Sequence, residues 1–548
     1  MTTEKKVSRR KFIAAGTGIV VVAAAAGAAY YLTKPGPTPT PIPTPTPTPT
    51  VTVATTTAPP TATGPKRGGK LIWANPQTIP ALDPMNSTSN IQFFIFEQMY
   101  DTLFNLQNDY TVTPRLATSW KASSDGLEYR IQLRQGVKFH DGIEFEAKDV
   151  AATFNAIRDR KTVAWAVTCP PFKTVEASSK YEVRFTLEQR FYPFIEHLAS
   201  TWLYIVAERY ADDPAKNPIG TGPFKFVDWK MGEFFRHERN KDYWEPGLPY
   251  LDELEERDVP EGSTRVAQLL AGEAHYALLI PPELASQVDR DPNTELFSTL
   301  PGARWNFIGI NCANKPLDDV RVRLALNYCI DRKRFLQTIM RGYGRIFTTW
   351  CHPDMPEYAN LPDVPRDVEK AKALLKDAGY PDGIPRRFTY LVASEFPDMI
   401  NMAMTLQDLA KPAGFNIDLV SVPWTDWLDR VPKLEWDFTG CFDERRPSAH
   451  SFIWGRFPAK EFYNAFNWFK ADPEYEAKIR DACLKGMVEL DLEKRKPYYV
   501  EAQKMIYDRV PVIPLIFHNI IDGKRKELKG VKTLSPVTNL FFKEAWIQ

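Results

Sequence analysis

The sequence predicts an α/β protein of two lobes with a cleft between them. Three observations lead there. Most of the 548 residues follow Lys66, too many for one hydrophobic core. The first part of that stretch alternates apolar and polar residues with period two, as half-buried strands do. The later part alternates helical and strand patterns, which suggests an α/β lobe with a mainly parallel sheet.

The chain opens with Lys5, Lys6, Arg9, Arg10 and Lys11, followed by an apolar or small run from Ala14 to Leu32. Basic flanks stay cytoplasmic, so the chain beyond Leu32 is expected outside. Ser8-Arg9-Arg10-Lys11-Phe12 resembles a twin-arginine export signal. The run is at the lower edge of what spans a bilayer, about 20 residues. Cleavage near Ala24–Ala29 and retention as an anchor are both open, and retention is preferred. No Cys near its end offers a lipid attachment point. Residues 1–32 are therefore read as signal and membrane anchor. Residues 33–65 are a Pro/Thr tract that cannot build a core. Pro fixes φ and lacks an amide donor, so the tract favours polyproline II, and about 30 residues at ~3.1 Å each give a stalk of roughly 90 Å.

Leu71-Ile72-Trp73-Ala74 reads as a first strand after Gly68-Gly69, and Ile91–Leu103 as a helix. Tyr129, Ile131 and Leu133 alternate with Arg130 and Gln132. Tyr181, Val183, Phe185 and Leu187 alternate with Glu182, Arg184 and Thr186. Between them Val150, Phe154 and Ile157 have helical spacing within 147–158. Val322, Ala325, Leu326 and Cys329 predict a helix after Asp318-Asp319, whose Arg321 and Arg323 are expected on a solvated face. Asp331 is an N-cap for the next helix. Ala371, Leu374, Leu375 and Ala378 share a face before Gly379, a C-cap residue. A helix over 400–410 then precedes a strand alternating at Phe415, Ile417 and Leu419.

Net charge is +1, and the part beyond the stalk is close to neutral, so there is no overall footprint for nucleic acid. The six Cys (169, 312, 329, 351, 441 and 483) form no CxxC pair, and the seven His form no HxxxH or HExxH array. No metal, cofactor or catalytic motif is legible. Phe139-His140-Asp141-Gly142 reads as a turn, since Asp-Gly is turn chemistry.

Several blocks stand in a definite order. Leu116-Ala117-Thr118-Ser119-Trp120 leads to Leu133-Arg134-Gln135-Gly136-Val137-Lys138-Phe139-His140-Asp141-Gly142. Pro218-Ile219-Gly220-Thr221-Gly222-Pro223-Phe224 and Arg239-Asn240-Lys241-Asp242-Tyr243-Trp244 follow. Then come Pro316-Leu317-Asp318-Asp319-Val320-Arg321-Val322-Arg323 and Asp331-Arg332. Together, from about Gly68 to Ile516, they make the chain resemble the oligopeptide-binding family of ABC-transporter solute-binding proteins (bacterial extracellular solute-binding family 5).

That resemblance implies a bilobal periplasmic-binding-protein-like fold of type II, whose first lobe carries an extra β-rich subdomain. It places lobe I at 66–115, 222–302 and 515–548, the subdomain at 116–221 and lobe II at 303–514. A peptide or oligosaccharide would bind between the lobes, closure would stabilise it, and ABC permease subunits would receive it. The receptor is expected to be a monomer, to act outside the cytoplasm and to do no chemistry. Family peptide binders pair the ligand's amino group with an Asp after Gly-Trp. Here the stretch is Gly440-Cys441-Phe442-Asp443-Glu444-Arg445-Arg446-Pro447, with Cys in place of Trp and one residue fewer. Asp443 and Arg445 are candidate contacts, with an internal salt bridge as the alternative. Tyr100, Asp101 and Thr102 resemble the first-lobe edge along bound peptide. Trp305 and Asn306 open the second lobe. Trp424 and Trp427 could stack on a sugar ring, or serve as core. A stalk-borne glycoside hydrolase, or a sensor with the same fold, are the rival readings.

Overall fold

The computed structural model describes residues 64–87, 90–444, 446–457, 468–534 and 539–548. The expected signal, anchor and stalk lie outside the described residues up to residue 63. Among the described residues no helix is long and apolar enough to cross a membrane.

One sheet of eleven strands runs through the whole body. At one end Lys70–Asn75 lies parallel to Glu253–Asp258 and to Tyr276–Ala277. Phe234–Arg239 and Phe224–Lys230 extend that end as antiparallel strands. At the other end Arg387–Ala393 lies parallel to Asn416–Val422 and to Phe438–Glu444. Two long antiparallel strands, Thr294–Ile310 and Val512–Arg525, join the ends. Their pairing runs from Thr294↔Arg525 to Gly309↔Val512, with register shifts between Ser298 and Leu300, Leu300 and Arg304, and Asn306 and Phe307. Such irregularities bend a ladder locally.

A separate antiparallel sheet takes the order Ala117–Ala122, Glu128–Leu133, Glu182–Thr186, Thr174–Ser179. Period-two alternation works there as expected: Tyr129, Ile131 and Leu133 are buried, Arg130 and Gln132 exposed. Helix Ala147–Asp159 covers it with Val150, Phe154 and Ile157, and Phe154 meets Phe185 edge-on at 5.0 Å. Two apolar clusters result. One holds Trp73, Phe93, Phe96, Phe154 and Phe185. The other holds Trp305, Phe388, Leu406, Ile479 and Ile513, and takes in Leu269 and Val288 beyond the crossing strands.

Three expectations need correction. The first helix spans Asn90–Met99 and stops short of Leu103. Gly222 donates its amide to Met99 O at 2.9 Å, so another segment occupies the space the next turn needs. Arg323 is not solvated. It is fully buried, gives Nε to Arg509 O at 2.9 Å and Nη1 to Leu317 O at 2.9 Å, and pairs with Asp472. Leu419 points out (38% exposed) because Asn416–Val422 is an edge strand, whereas Ile417 is buried. The caps behave as expected: Asp319 accepts from Arg321 N, Asp331 from Arg334 N, and Gly379 takes φ +96°.

Candidate functional site

Tyr100, Asp101 and Thr102 are buried where the first helix ends. The Asp101 carboxylate accepts from Arg115 Nε at 2.6 Å, Thr221 Oγ1 at 2.7 Å and Trp244 Nε1 at 3.0 Å. Burial alone would raise this carboxyl; Arg115, Trp244 and Thr221 outweigh it and hold Asp101 below the usual carboxylate range. Glu97 shares Arg115 and accepts from Tyr204 Oη at 3.0 Å, and there burial wins and its carboxyl rises. Thr102 Oγ1 donates to Phe104 O at 2.6 Å. Asp101 and Thr102 are thus engaged inside the first lobe, and Tyr100 packs on Phe96 and Tyr204. The resemblance set them along bound peptide; here all three are buried, and the partners of Asp101 lie up to 143 residues away in the chain.

The same network grips Gly220-Thr221-Gly222. Gly220 N donates to His140 Nδ1 at 3.3 Å, and His140 Nε2 lies 3.1 Å from Gly222 O. A carbonyl only accepts, so Nε2 carries the proton and the ring is neutral. Burial pushes its pKa down to about 4. His140-Asp141-Gly142 is therefore a structural turn, with Asp141 on Arg209 at 2.5 Å and Gly142 at φ +87°.

The second-lobe candidates gather at one edge of the sheet. Asp443 pairs in register with Trp305, and Phe442 with Asn306. Phe438–Glu444 and Asn416–Val422 run parallel to Arg387–Ala393 on either side of it, so Asp443 and the segment before Trp424 lie at the carboxyl ends of strands one apart in the sheet. In open α/β sheets that edge is where ligands bind. Trp305 itself is fully buried, stacked on Phe452 (4.7 Å, 20°) and edge-on to Trp350 at 5.8 Å. Asn306 is buried on the opposite face, with Nδ2 3.4 Å from Asp398 Oδ2. Trp424 and Trp427 stack on each other (4.8 Å, 10°). Trp427 is buried and donates to Thr439 Oγ1 at 3.1 Å; Trp424 is half-buried against Phe396. Trp424→Ala removes only the outer ring, so a loss of about 1 kcal/mol is expected in urea melts. Arg445 lies outside the described residues.

The lobes meet along a seam that the sequence did not disclose. Tyr110, at φ +67° in the turn after Phe104–Leu106, sets its ring edge-on to His352 at 4.6 Å. Tyr192 donates its amide to Met487 O at 3.0 Å and lies 4.1 Å under the Arg495 guanidinium, which is bonded to Glu357 at 2.7 Å. Phe191 is edge-on to His197 at 5.1 Å and to His450 at 5.9 Å. Ser448 Oγ lies 3.4 Å from His197 Nε2. The only local signal was the aromatic run Phe191-Tyr192 before Pro193, which fits a core equally well. Among the described residues no group of three or more His, Cys, Asp or Glu could hold a metal.

The comparisons agree with this architecture. The family model described as "Bacterial extracellular solute-binding proteins, family 5 Middle" matches residues 111–440. This chain belongs to that family. The glutathione-binding protein GsiB of Salmonella typhi is 30% identical over 492 residues, 85% of this chain and 92% of that protein. The periplasmic binding protein DppA of Helicobacter pylori, solved with the peptide STSA, is 27% identical with a TM-score of 0.73, covering 88% of this chain and 98% of that one. The substrate-binding protein CtaP of Listeria monocytogenes has a TM-score of 0.79 at 23% identity, covers 88% of this chain and 100% of that one, and shows the shared fold. The expected bilobal type II architecture is thus the observed one. Family 5 proteins are extracytoplasmic receptors that deliver solutes to ABC importers, and this chain is a solute-binding protein of that kind. The relatives named here are binding proteins, and no observation favours the hydrolase reading.

Proposed function

We propose that this chain is the peptide receptor of an ABC importer, a monomer that closes on its ligand outside the cytoplasm. The amino-terminal segment tethers it to the membrane and the Pro/Thr tract gives it reach. Lobe I takes 66–115, 222–302 and 515–548, its subdomain 116–221, and lobe II 303–514. Peptide lies between the lobes, along the sheet edge that holds Asp443. Asp443 is offered for the ligand's amino group, and Arg445 and Arg446 for its carboxylates.

The observation that carries the reading is the likeness to GsiB across 85% of the chain. Glutathione is a tripeptide, and DppA was solved with a tetrapeptide. A binder that favours one lobe arrangement shifts the population by its differential affinity alone. Nothing in that scheme needs a cofactor or nucleic acid.

Thermal melts of the full chain with di- to pentapeptides, glutathione and oligosaccharides test it. A peptide at a hundred times its Kd stabilises the native state by about 2.7 kcal/mol and raises Tm by a few degrees. Asp443→Asn is expected to weaken that peptide tenfold or more, the scale of a lost charge-assisted bond of about 1.5–3 kcal/mol. A response to oligosaccharides alone would replace peptide by sugar in the proposal. Cleavage of any of these compounds would overturn the receptor reading.

A further inference from the structure

The seam holds two histidines, His197 and His450, that both meet the ring of Phe191. His197 sits on helix Phe194–Leu198, and His450 on helix Ala449–Trp454. Both are about 5% exposed, and the Phe191 ring touches both. His197 Nδ1 lies 2.7 Å from Thr168 O, so Nδ1 carries a proton and Nε2 is left to accept from Ser448 across the seam at 3.4 Å. Protonating Nε2 would abolish that acceptor. Arg446 adds a further positive charge toward this ring. His450 Nδ1 lies 3.2 Å from Tyr499 Oη, and its ring stacks on Trp454 at 5.3 Å. Cys483 on helix Pro473–Val488 supplies a backbone acceptor to it. The other charged groups around this patch are Glu196 beside His197, and Glu357 with Arg495 over Tyr192.

We propose that this His197–Phe191–His450 contact is a proton-sensitive lock on lobe closure, so that acidification opens the receptor and lowers its hold on ligand. A dry seam between lobes accepts two neutral imidazoles but not two cations.

The protonation states follow the geometry. Burial lowers His197 to about 4 and His450 to about 3, and each also lowers or is lowered by a neighbouring positive centre (Arg446 on His197, His197 on His450). When the lobes part, both return toward the usual 6.5. The closed form then binds fewer protons at these rings than the open form. Closure is favoured above about pH 6.5 and loses ground as pH falls through that value toward 4. Glu196 works in the opposite sense. Desolvation lifts its carboxyl to about 7, with Glu357 adding and Arg495 opposing. The closed form keeps a proton there that the open form gives up near 4.5. Two protons gained on opening and one lost leave a net gain of one.

The proposal rests on the closed form being the one that holds ligand, but its first test needs none. One fluorophore on each lobe of the full chain reports the open-to-closed ratio by energy transfer from pH 7.5 to 5. The wild type is expected to gain about tenfold in that ratio between pH 6 and pH 5, one net proton. Glu196→Gln is expected to steepen the gain to about fiftyfold, approaching two net protons. His197→Asn with His450→Asn is expected to remove the gain and reverse its sign, because Glu196 then acts alone. Far-UV circular dichroism at each pH confirms that the lobes part without unfolding. A flat wild-type ratio, or a double variant that opens with acid as the wild type does, would overturn the lock. Either result leaves the peptide proposal standing, because melts with ligand at pH 7.5 test that separately.

Discussion

Alanine at Gly222 is expected to abolish the soluble, folded protein or to leave it severely destabilised. A Cβ there would sit 2.5 Å from Met99 C, 2.7 Å from Met99 O and 2.8 Å from Tyr100 N, all backbone atoms that cannot swing aside. Gly220 is as tight, with Met99 O at 2.1 Å from its would-be Cβ. Relief demands that the helix end and the Gly220-Thr221-Gly222 segment separate. That breaks the bond from Gly222 N to Met99 O and disturbs the His140 and Asp101 contacts together. Overpacking of this kind costs about 3 kcal/mol or more. Gly136 provides the contrast. Its φ is +74°, but a methyl group there would meet no other atom within 4 Å, so Gly136→Ala carries only the left-handed strain of about 1 kcal/mol. Urea midpoints of the two variants, compared with wild type, decide the point. Equal small losses would mean that the close approach at Gly222 is not limiting.

Replacing Arg115 by Met is expected to cost about 3–5 kcal/mol, since it leaves Glu97 and Asp101 buried without their common cation. The loss has a pH signature. Without Arg115 both folded-state carboxyls rise, so the folded form binds more protons than the unfolded one, and the deficit shrinks as pH falls from 7 toward 5. Adding Glu97→Gln and Asp101→Asn to Arg115→Met is expected to recover much of the stability at pH 7, because the buried charges are then gone. A deficit that does not change with pH would assign the effect to lost packing instead.

Glu128–Leu133 and Ala147–Asp159 were legible because their burial follows the local period, two for the strand and 3.6 for the helix. The caps at Asp319 and Asp331 were legible because capping needs only residues within one turn. The surroundings of Asp101 and Arg323 were not legible, because a polar residue's distant partners leave no mark on the local sequence. For Asp101 these are Thr221 and Trp244, and for Arg323 they are Asp472 and Arg509. Trp305 was a candidate only for its place at the opening of the second lobe, and it stands in a ring of Phe347, Trp350, Phe452 and Phe517 drawn from three other segments. The seam was the least legible part. Phe191 and His450 are far apart in the chain and carry no motif, and only the folded chain brings them into contact.

The two crossing strands restrict how the halves of this receptor travel. The ladder between Thr294–Ile310 and Val512–Arg525 is regular from Thr294 to Ser298 and from Phe307 to Gly309, and its three register shifts fall between Ser298 and Phe307. Sliding one half past the other would tear both ladders, whereas a swing about the irregular stretch tears neither. A swing about the stretch from Ser298 to Phe307 is the motion that leaves both regular ladders intact, and its reach would grow with distance from that stretch.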